Sequence, residues 1–220
     1  MRAFLIFTVF LAAASAEHCY KEIEKACDPT SNKADSTPIN CNAKYGAIDG
    51  VQSALQKYVN DHIERSFEYL LMSTHYANYE KSREGFEKLF RGFSDSKWNT
   101  AIDLIKYITK RGGQMRFPEI DSEISSNEDY EMYELQSLAK SLDIEKTLAV
   151  EAHNIHGLAA RRRNEFHDPE ISSFIEEKFV HKQADDIRAL SGHVADLTKL
   201  LDGRDSSLSL YLFDEYLQKL

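Results

Sequence analysis

The sequence predicts an all-α protein, a four-helix bundle with one long crossover connection and a short fifth helix at the C-terminus. From residue 46 onward, apolar residues recur every three or four positions in four long stretches, and no convincing strand pattern is present. Four helices of this length bury their apolar faces best as a bundle. The second connection is much longer than the first and the third, so it is able to carry the chain along the whole bundle.

The first 16 residues have the pattern of a secretory signal peptide. Arg2 is followed by an apolar run over residues 3–14, and Ala14-Ser15-Ala16 has the small residues of a cleavage site. The apolar run is too short to span a bilayer. We therefore expect the mature chain to begin near Glu17, in the lumen of the secretory pathway or outside the cell.

Residues 17–45 form a short polar segment that contains all the cysteines of the chain, Cys19, Cys27 and Cys41. We expect an irregular arm here, ahead of a helical domain over residues 46–220. In an oxidising compartment these cysteines should be oxidised, and their number is odd. We expect one internal disulfide and a third cysteine that pairs with another chain, the alternative being a free or capped thiol.

The charge of the chain argues against a nucleic-acid partner. The formal net charge is −9, and it becomes −10 without Arg2. Acidic and basic residues are interspersed, without a lysine-rich run. No later segment approaches the length of a transmembrane helix, so no membrane partner is expected either.

The first two predicted helices are amphipathic and are joined by a short connection, so they should be antiparallel neighbours. They span about residues 46–80 and 82–111, and two glycines end the second. The inward row of the first contains Val51, Leu55, Tyr58, His62, Tyr69, Ser73 and Tyr76. The inward row of the second contains Phe86, Phe90, Phe93, Lys97, Thr100, Ala101, Leu104 and Ile108, widened by Trp98, Ile102 and Ile105.

The remaining helices follow the long connection, which is the polar, proline-broken segment 114–129. The third helix spans about residues 130–165. Its inward row is Leu135, Leu138, Leu142, Glu145, Ala149, Ala152 and His156. The fourth begins with Asp168 as N-cap and Pro169 at the first helical position, and it ends near residue 201. Its inward row is Phe179, Gln183, Ile187, Leu190, Val194 and Leu197. Residues 208–220 form the short fifth helix.

Lys97 is an unexpected residue on the inner face of the second helix. It lies one turn before Thr100 and Ala101, in line with Leu104. An ammonium group loses its hydration inside a helical bundle, which is costly unless an opposite charge compensates it. An interior lysine therefore requires an explanation.

Six short motifs make the chain resemble the ferritin family over about residues 46–220. They are YLLMS at 69–73, RGG at 111–113, LDIEKTL at 142–148, HDPEISSFIEE at 167–177, GHVADLTKLL at 192–201 and LYLFDEYL at 210–217. The signal peptide and the cysteine arm are similar to those of the secreted insect ferritins. The resemblance implies a ferritin-like bundle and a hollow shell of 24 chains and two subunit types, which stores ferric iron as a mineral.

The resemblance also implies where the two irons of a catalytic subunit would bind. Such a site needs carboxylates from several helices, including a Glu-x-x-His on the second. This sequence contains no Glu-x-x-His, and Lys97 and Thr100 occupy the matching positions. His62 replaces the glutamate of the first helix. The positions that survive as candidate metal ligands are Tyr69, Glu145 and Gln183.

These departures argue against ferroxidase activity and suggest a role for Lys97. It stands at a ligand position, and Glu145 is its natural counter-ion across the bundle, as in the non-catalytic light subunits of the family. The alternative is that Lys97 extends to solvent along the helix surface. We expect the ion pair, no enzymatic activity, and co-assembly with catalytic heavy-type subunits.

Further family functions depend on acidic residues at the inner wall and at the channels. Ser96, Asn99 and Ile102 occupy positions where vertebrate light subunits carry glutamates that help the mineral to nucleate. Glu84 and Asp95 are then the remaining nucleation candidates. For the cation channel at the start of the fourth helix, Glu176 matches one acidic ring and Ser173 replaces the other, for which Glu170 could compensate.

Two alternatives come from other functional classes. One is a working secreted ferroxidase that uses Glu145, Tyr69, Gln183 and His62. The other is a secreted helical bundle that carries lipids or other apolar ligands. The fifth helix and the RGG and HDPE motifs argue against the carrier.

Overall fold

A computed structural model of the chain describes residues 19–26, 40–117, 133–162 and 165–220. The predicted signal peptide, Cys27 and most of the predicted long connection lie outside these ranges. The chain divides into two units, Met1–Ala43 and Lys44–Leu220. Within the described ranges, every helix is too short or too polar to cross a membrane.

The described part of the first unit contains a short helix, α1 (Cys19–Ala26), and a disulfide. Cys19 and Cys41 are bonded to each other, with 4.6 Å between their Cα atoms. The backbone N–H of Asn40 donates to a carboxylate oxygen of Glu22 at 2.8 Å. The prediction of a wholly irregular arm is therefore wrong. A helix this short is marginal alone, and the disulfide and the Glu22 contact supply the tertiary support that a periodicity argument does not see.

The second unit contains four long helical rods and a short C-terminal helix. The rods are α2 (Ile48–Tyr76), α3 (Glu84–Lys110), α4 (Glu134–Ala159) and a fourth that begins as α5 (Pro169–Ile175), passes through a π-helical turn (Glu176–Val180) and continues as α6 (His181–Leu201). The short helix is α7 (Ser206–Gln218), and no strand occurs in the described part of the chain. The all-α prediction with a fifth helix is confirmed.

Contacts between helix ends establish the long crossover. The C-terminal end of α2 lies beside the start of α4, where Tyr76 Oη and Ser137 Oγ are 2.8 Å apart. The end of α3 lies at the opposite end of the bundle, beside Asp168, which receives a 2.7 Å hydrogen bond from Arg111. The end of α3 and the start of α4 therefore lie at opposite ends of the bundle, as the single-crossover prediction requires.

Two helix predictions need correction. The third helix ends at Ala159 and not near residue 165, because the backbone N–H of Asp168 donates to the Ala159 carbonyl at 2.9 Å and turns the chain there. Trp98 does not widen the inner stripe of α3. It is 45% exposed and contacts Phe67 on the outer surface, with 6.3 Å between ring centroids.

The core of the bundle follows the predicted inner faces of the helices. Its fully buried members include Val51, Leu55, Phe86, Phe90, Leu104, Ile108, Leu138, Leu190 and Leu197. Aromatic rings fill the end of the bundle where α2 meets α3, with Tyr76 stacked on Phe86 and Phe90 at 5.2 and 5.5 Å between centroids. Burial of these apolar surfaces is the main driving force for assembling the bundle.

A buried charge cluster closes the end of the bundle where α3 stops and α5 begins. Asp168 is the N-cap of α5, as predicted, and accepts from the backbone N–H groups of Glu170 and Ile171. It also accepts from the backbone N–H of Ala47, at 3.0 Å, and from Arg111, which is 1% exposed. One carboxylate thus joins the beginnings of α2 and α5 to the end of α3.

At the other end of the bundle, α7 docks on the first turn of α3. The buried carboxylate of Asp214 accepts from the backbone N–H groups of Gly85 and Phe86, at 3.0 and 3.1 Å. The first N–H groups of a helix have no intrahelical partners, and the positive end of the helix dipole stabilises a negative charge there. Gly85 permits the approach, because a Cβ atom there would lie 2.1 Å from the carbonyl oxygen of Asp214.

Candidate functional site

Lys97 and Glu145 form a buried ion pair in the middle of the bundle. Lys97 projects from α3 and Glu145 from α4, and Lys97 Nζ lies 2.5 Å from Glu145 Oε2. The two side chains are 5% and 0% exposed. Lys97 therefore does not extend to solvent. Two charges that would each be costly alone are held together by mutual attraction and a charge-assisted hydrogen bond.

Tyr69 of α2 forms a hydrogen bond with the other oxygen of the same carboxylate. Its hydroxyl donates to Glu145 Oε1 at 2.9 Å and lies 3.3 Å from the carbonyl oxygen of Ser141. Burial, and then the charge of Glu145, raises the pKa of Tyr69 well above its usual range. The phenol therefore stays protonated, and both oxygens of Glu145 are engaged by donors.

His62 lies in the interior as a neutral imidazole. It is 1% exposed, and its Nδ1 is 2.9 Å from the carbonyl oxygen of Tyr58. A carbonyl only accepts hydrogen bonds, so Nδ1 carries the hydrogen. Burial, with smaller contributions from the positive charges of Lys97 and Lys182, lowers the pKa of His62 to about 4. The side chain contributes no charge near neutral pH.

Gln183 of α6 completes the set of candidate ligands on the fourth rod. Its Nε2 donates to Tyr58 Oη at 2.7 Å, while Oε1 is buried without a hydrogen-bond partner among the described residues. His62, Lys97, Thr100 and Gln183 line a cavity of about 20 Å³. That volume is close to what one water molecule needs, and is far from the space for two metal ions with their ligands.

The donor set in this region does not fit a pair of iron ions. Lys97 is a cation at a ligand position, and Glu145 is its counter-ion and the acceptor of Tyr69. His62 and Gln183 could offer a metal ion only uncharged ligand atoms. Hard cations need several carboxylate oxygens. Across the described ranges, no three His, Cys, Asp or Glu side chains are grouped so that they could hold a metal ion.

The two predicted nucleation residues lie apart on the exposed side of α3. Glu84 is in the first turn, and Asp95 is paired with Arg91, whose Nε lies 3.2 Å from a carboxylate oxygen. Eleven residues of α-helix separate them by roughly 16 Å at the usual rise per residue. They do not contribute to one common site.

The predicted channel residues have different surroundings. Glu176, in the π-helical turn, is 54% exposed and lies 3.6 Å from His156 Nε2. Glu170 contacts Arg111 and accepts a hydrogen bond from Tyr107, so it belongs to the buried charge cluster at the end of the bundle. Its charge is paired within the chain. Ser173 is exposed on α5.

Sequence reasoning did not anticipate the roles of Arg111 and Asp214. Both are buried charged residues whose partners lie on other helices, Asp168 for Arg111 and the start of α3 for Asp214. The available signal was their position within motifs, RGG for Arg111 and LYLFDEYL for Asp214. Charged residues are rarely buried, so their charge alone did not indicate these positions.

Comparisons with known proteins agree with this geometry. Residues 52–200 match the family model of the ferritin-like domain. The chain is 43% identical over 213 residues to a ferritin light chain of Trichoplusia ni, covering 93% of this chain and 91% of that one. It is 39% identical over 229 residues to a ferritin light chain of Drosophila melanogaster, covering 100% of both.

A solved structure gives the same result at the level of the fold. The crystal structure of Trichoplusia ni secreted ferritin matches with a TM-score of 0.81 and 41% identity, covering 93% of this chain and 99% of that one. The family model covers residues 52–200, which span the helical bundle from α2 to α6. This chain belongs to the ferritin family.

Proposed function

We propose that this chain is the light-type subunit of a secreted ferritin. It builds the shell and stores ferric iron as mineral, while catalytic heavy-type subunits of the same shell oxidise the iron. The observation that carries the proposal is the Lys97–Glu145 ion pair, with both side chains buried at positions where a catalytic subunit would bind iron.

The chemistry of this centre supports storage without oxidation. A fixed ammonium group repels ferrous ions, and it occupies the Glu145 carboxylate that would otherwise bind them. The neutral His62 adds no compensating charge. Secretion is supported by the sequence of residues 1–16 and by the similarity to a protein described as a secreted ferritin. In this proposal the cargo is ferric iron, and we expect no organic cofactor.

Iron-oxidation kinetics test the proposal directly. We expect the homo-oligomer of the mature chain to oxidise ferrous iron no faster than buffer, and we expect oxidation to appear when a catalytic subunit is co-assembled with it. A fast, saturable burst of about two irons per subunit from the homo-oligomer alone would contradict the proposal and favour the ferroxidase alternative.

A gain-of-function variant sharpens this test. The triple change Lys97→Glu, Thr100→His and His62→Glu restores the family's ligand types, and it should produce measurable oxidation. The matched control changes the same residue types on the exposed side of α4, with Lys146→Glu, Thr147→His and His153→Glu. Oxidation by the control at the rate of the triple variant would mean that added surface carboxylates are sufficient.

Native mass distinguishes a shell subunit from a carrier of apolar ligands. The precursor chain has a mass of 25.2 kDa. A closed shell of 24 mature chains would therefore have a mass on the order of half a megadalton, whereas a carrier would be a monomer. Mixing with a catalytic subunit should give one shell population that contains both chains.

A further inference from the structure

A cleft with an unusual concentration of lysines lies between the second half of α3 and the start of the fourth rod. Its volume is about 420 Å³. Lys106 and Lys110 lie on the α3 side, and Lys178 and Lys182 lie on the opposite side, in the π-helical turn and the first turn of α6. Each pair is four residues apart, which places its two members on one side of their rod.

The charge of this cleft is opposite to that of the chain as a whole. Among the described residues, four lysines and one acidic residue, Asp103, line it, whereas the formal net charge of the chain is −9. Asp103 lies 3.9 Å from Lys106, and both are 73% exposed, so their attraction is weak. Lys178 lies 3.2 Å from Glu177, again between exposed groups. These contacts leave a local excess of positive charge.

The inner wall of the cleft is rigid and aromatic. Tyr107 and Phe174 stack with 3.7 Å between their centroids and 2° between their planes. Tyr107 is further held by Glu170 and Arg111. The lysines therefore surround a fixed wall, and Lys178 belongs to a π-helical turn, a feature that often occurs at functional sites.

We propose that this lysine cleft binds compact multivalent phosphate anions, orthophosphate or short polyphosphate. Lysine ammonium groups act as point charges with several donors and suit the non-planar oxygens of phosphate. Planar carboxylates are better matched by arginine, and no arginine lines this cleft among the residues that the structure describes. The volume lies within the usual range for small-molecule sites and exceeds the needs of a single orthophosphate. The proposal does not depend on iron storage.

Binding measured on the iron-free assembled protein tests the site. Titration with tripolyphosphate at low salt should give saturable binding that weakens as salt rises. The variant Lys110→Gln/Lys178→Gln, with one change on each side of the cleft, should weaken that binding by about tenfold or more. The control Lys146→Gln/Lys199→Gln removes the same charge from exposed positions outside the cleft and should stay within about twofold of the unmodified protein.

Lysine acylation followed by mass spectrometry locates the bound anion without any mutation. Tripolyphosphate, and orthophosphate at higher concentration, should protect Lys106, Lys110, Lys178 and Lys182 from acylation, while Lys146 and Lys199 keep their reactivity. Equal weakening by the cleft and control variants, or protection spread evenly over all lysines, would overturn the proposal. Either result would mean general attraction of anions to exposed lysines.

Discussion

At the scale of single residues, Glu145 organises the centre of the bundle, because its two oxygens accept from Lys97 and Tyr69. Removing Lys97 leaves a buried carboxylate without a counter-charge, and removing the carboxylate leaves a buried ammonium. Lys97→Met and Glu145→Leu should each lower the free energy of unfolding by ~3–5 kcal/mol. Chemical denaturation of dissociated subunits would measure this.

The double variant Lys97→Met/Glu145→Leu is the control for this interaction. Replacement of a buried ion pair by apolar residues of similar size is often neutral, so the double variant should recover most of the lost stability. A coupling energy near zero in this double-mutant cycle would contradict the pairing. The Tyr69 hydroxyl loses its hydrogen bond to Glu145 and keeps only the longer contact with the Ser141 carbonyl, so recovery should be incomplete by about 1 kcal/mol.

His62 gives the folded subunit a pH dependence of definite sign. Its pKa is about 4 in the folded chain, below the ordinary value of 6.5. The unfolded chain therefore binds the proton first, and stability falls as the pH falls from 6.5 towards 4, by an amount on the order of 3 kcal/mol in full. Above pH 7 this contribution is fully present. Unfolding of dissociated subunits between pH 7.5 and 4.5 would measure it.

The variant His62→Phe keeps an aromatic ring against Tyr58 and Phe179 and removes the titrating group. Its stability should fall less with acid than that of the unmodified chain, and the difference should grow below pH 6.5. His153→Gln, a change on the exposed side of α4, is the matched control. An identical acid response of the His62→Phe variant and the unmodified chain would refute the buried neutral imidazole.

At the scale of elements, the contact between α7 and the start of α3 depends on the absence of a side chain at Gly85. A Cβ at Gly85 would lie 2.1 Å from the carbonyl oxygen of Asp214, which is backbone and has to move with its helix. Gly85→Ala should therefore destabilise the subunit by about 1–3 kcal/mol and loosen α7. Limited proteolysis near residue 203 should become faster.

Gly92 provides the control within the same helix. Nothing lies within 4 Å of a Cβ built there. The residue is exposed to solvent and lies away from both ends of α3. Gly92→Ala should stabilise the helix by roughly 0.5–1 kcal/mol through its backbone entropy. Equal effects of the two substitutions would show that helix propensity, and not the docking of α7, determines the result.

The helices themselves were largely predictable, because the burial of apolar faces leaves a period of 3.6 in the sequence. The short α1 and the end of α4 were not, since they depend on contacts with Cys41 and Asp168 that no local pattern contains. The apolar pattern of the sequence gave no sign of the π-helical turn either. Local propensity is weak where tertiary contacts determine the outcome.

Some features of the candidate site were also predictable from the sequence, and others were not. The sequence marked Lys97 as unusual, because it is a charged residue on an apolar helix face. Its pairing with Glu145 was expected from the family resemblance. The lysine cleft was not anticipated, because its two lysine pairs lie on helices far apart in the sequence. The cap that Asp214 provides joins residues 129 positions apart. Only the folded chain brings such partners together.

At the scale of the whole molecule, the cysteines predict a covalent link between chains. The chain contains three cysteines, and Cys19 and Cys41 are bonded to each other. That pairing leaves Cys27 as the third cysteine of the sequence. In an oxidising compartment a remaining thiol pairs with another chain or is capped by a small thiol.

We predict that Cys27 forms this link. Non-reducing electrophoresis of the secreted protein should show a band of about two chains that disappears with reductant. Cys27→Ser should abolish the band, because it removes the thiol that the Cys19–Cys41 disulfide leaves over. The paired change Cys19→Ser/Cys41→Ser is the control, since it removes the internal disulfide, leaves Cys27 unchanged and should keep the band. Persistence of the band in Cys27→Ser would mean that the internal pairing rearranges on assembly, with Cys19 or Cys41 reaching the neighbouring chain instead.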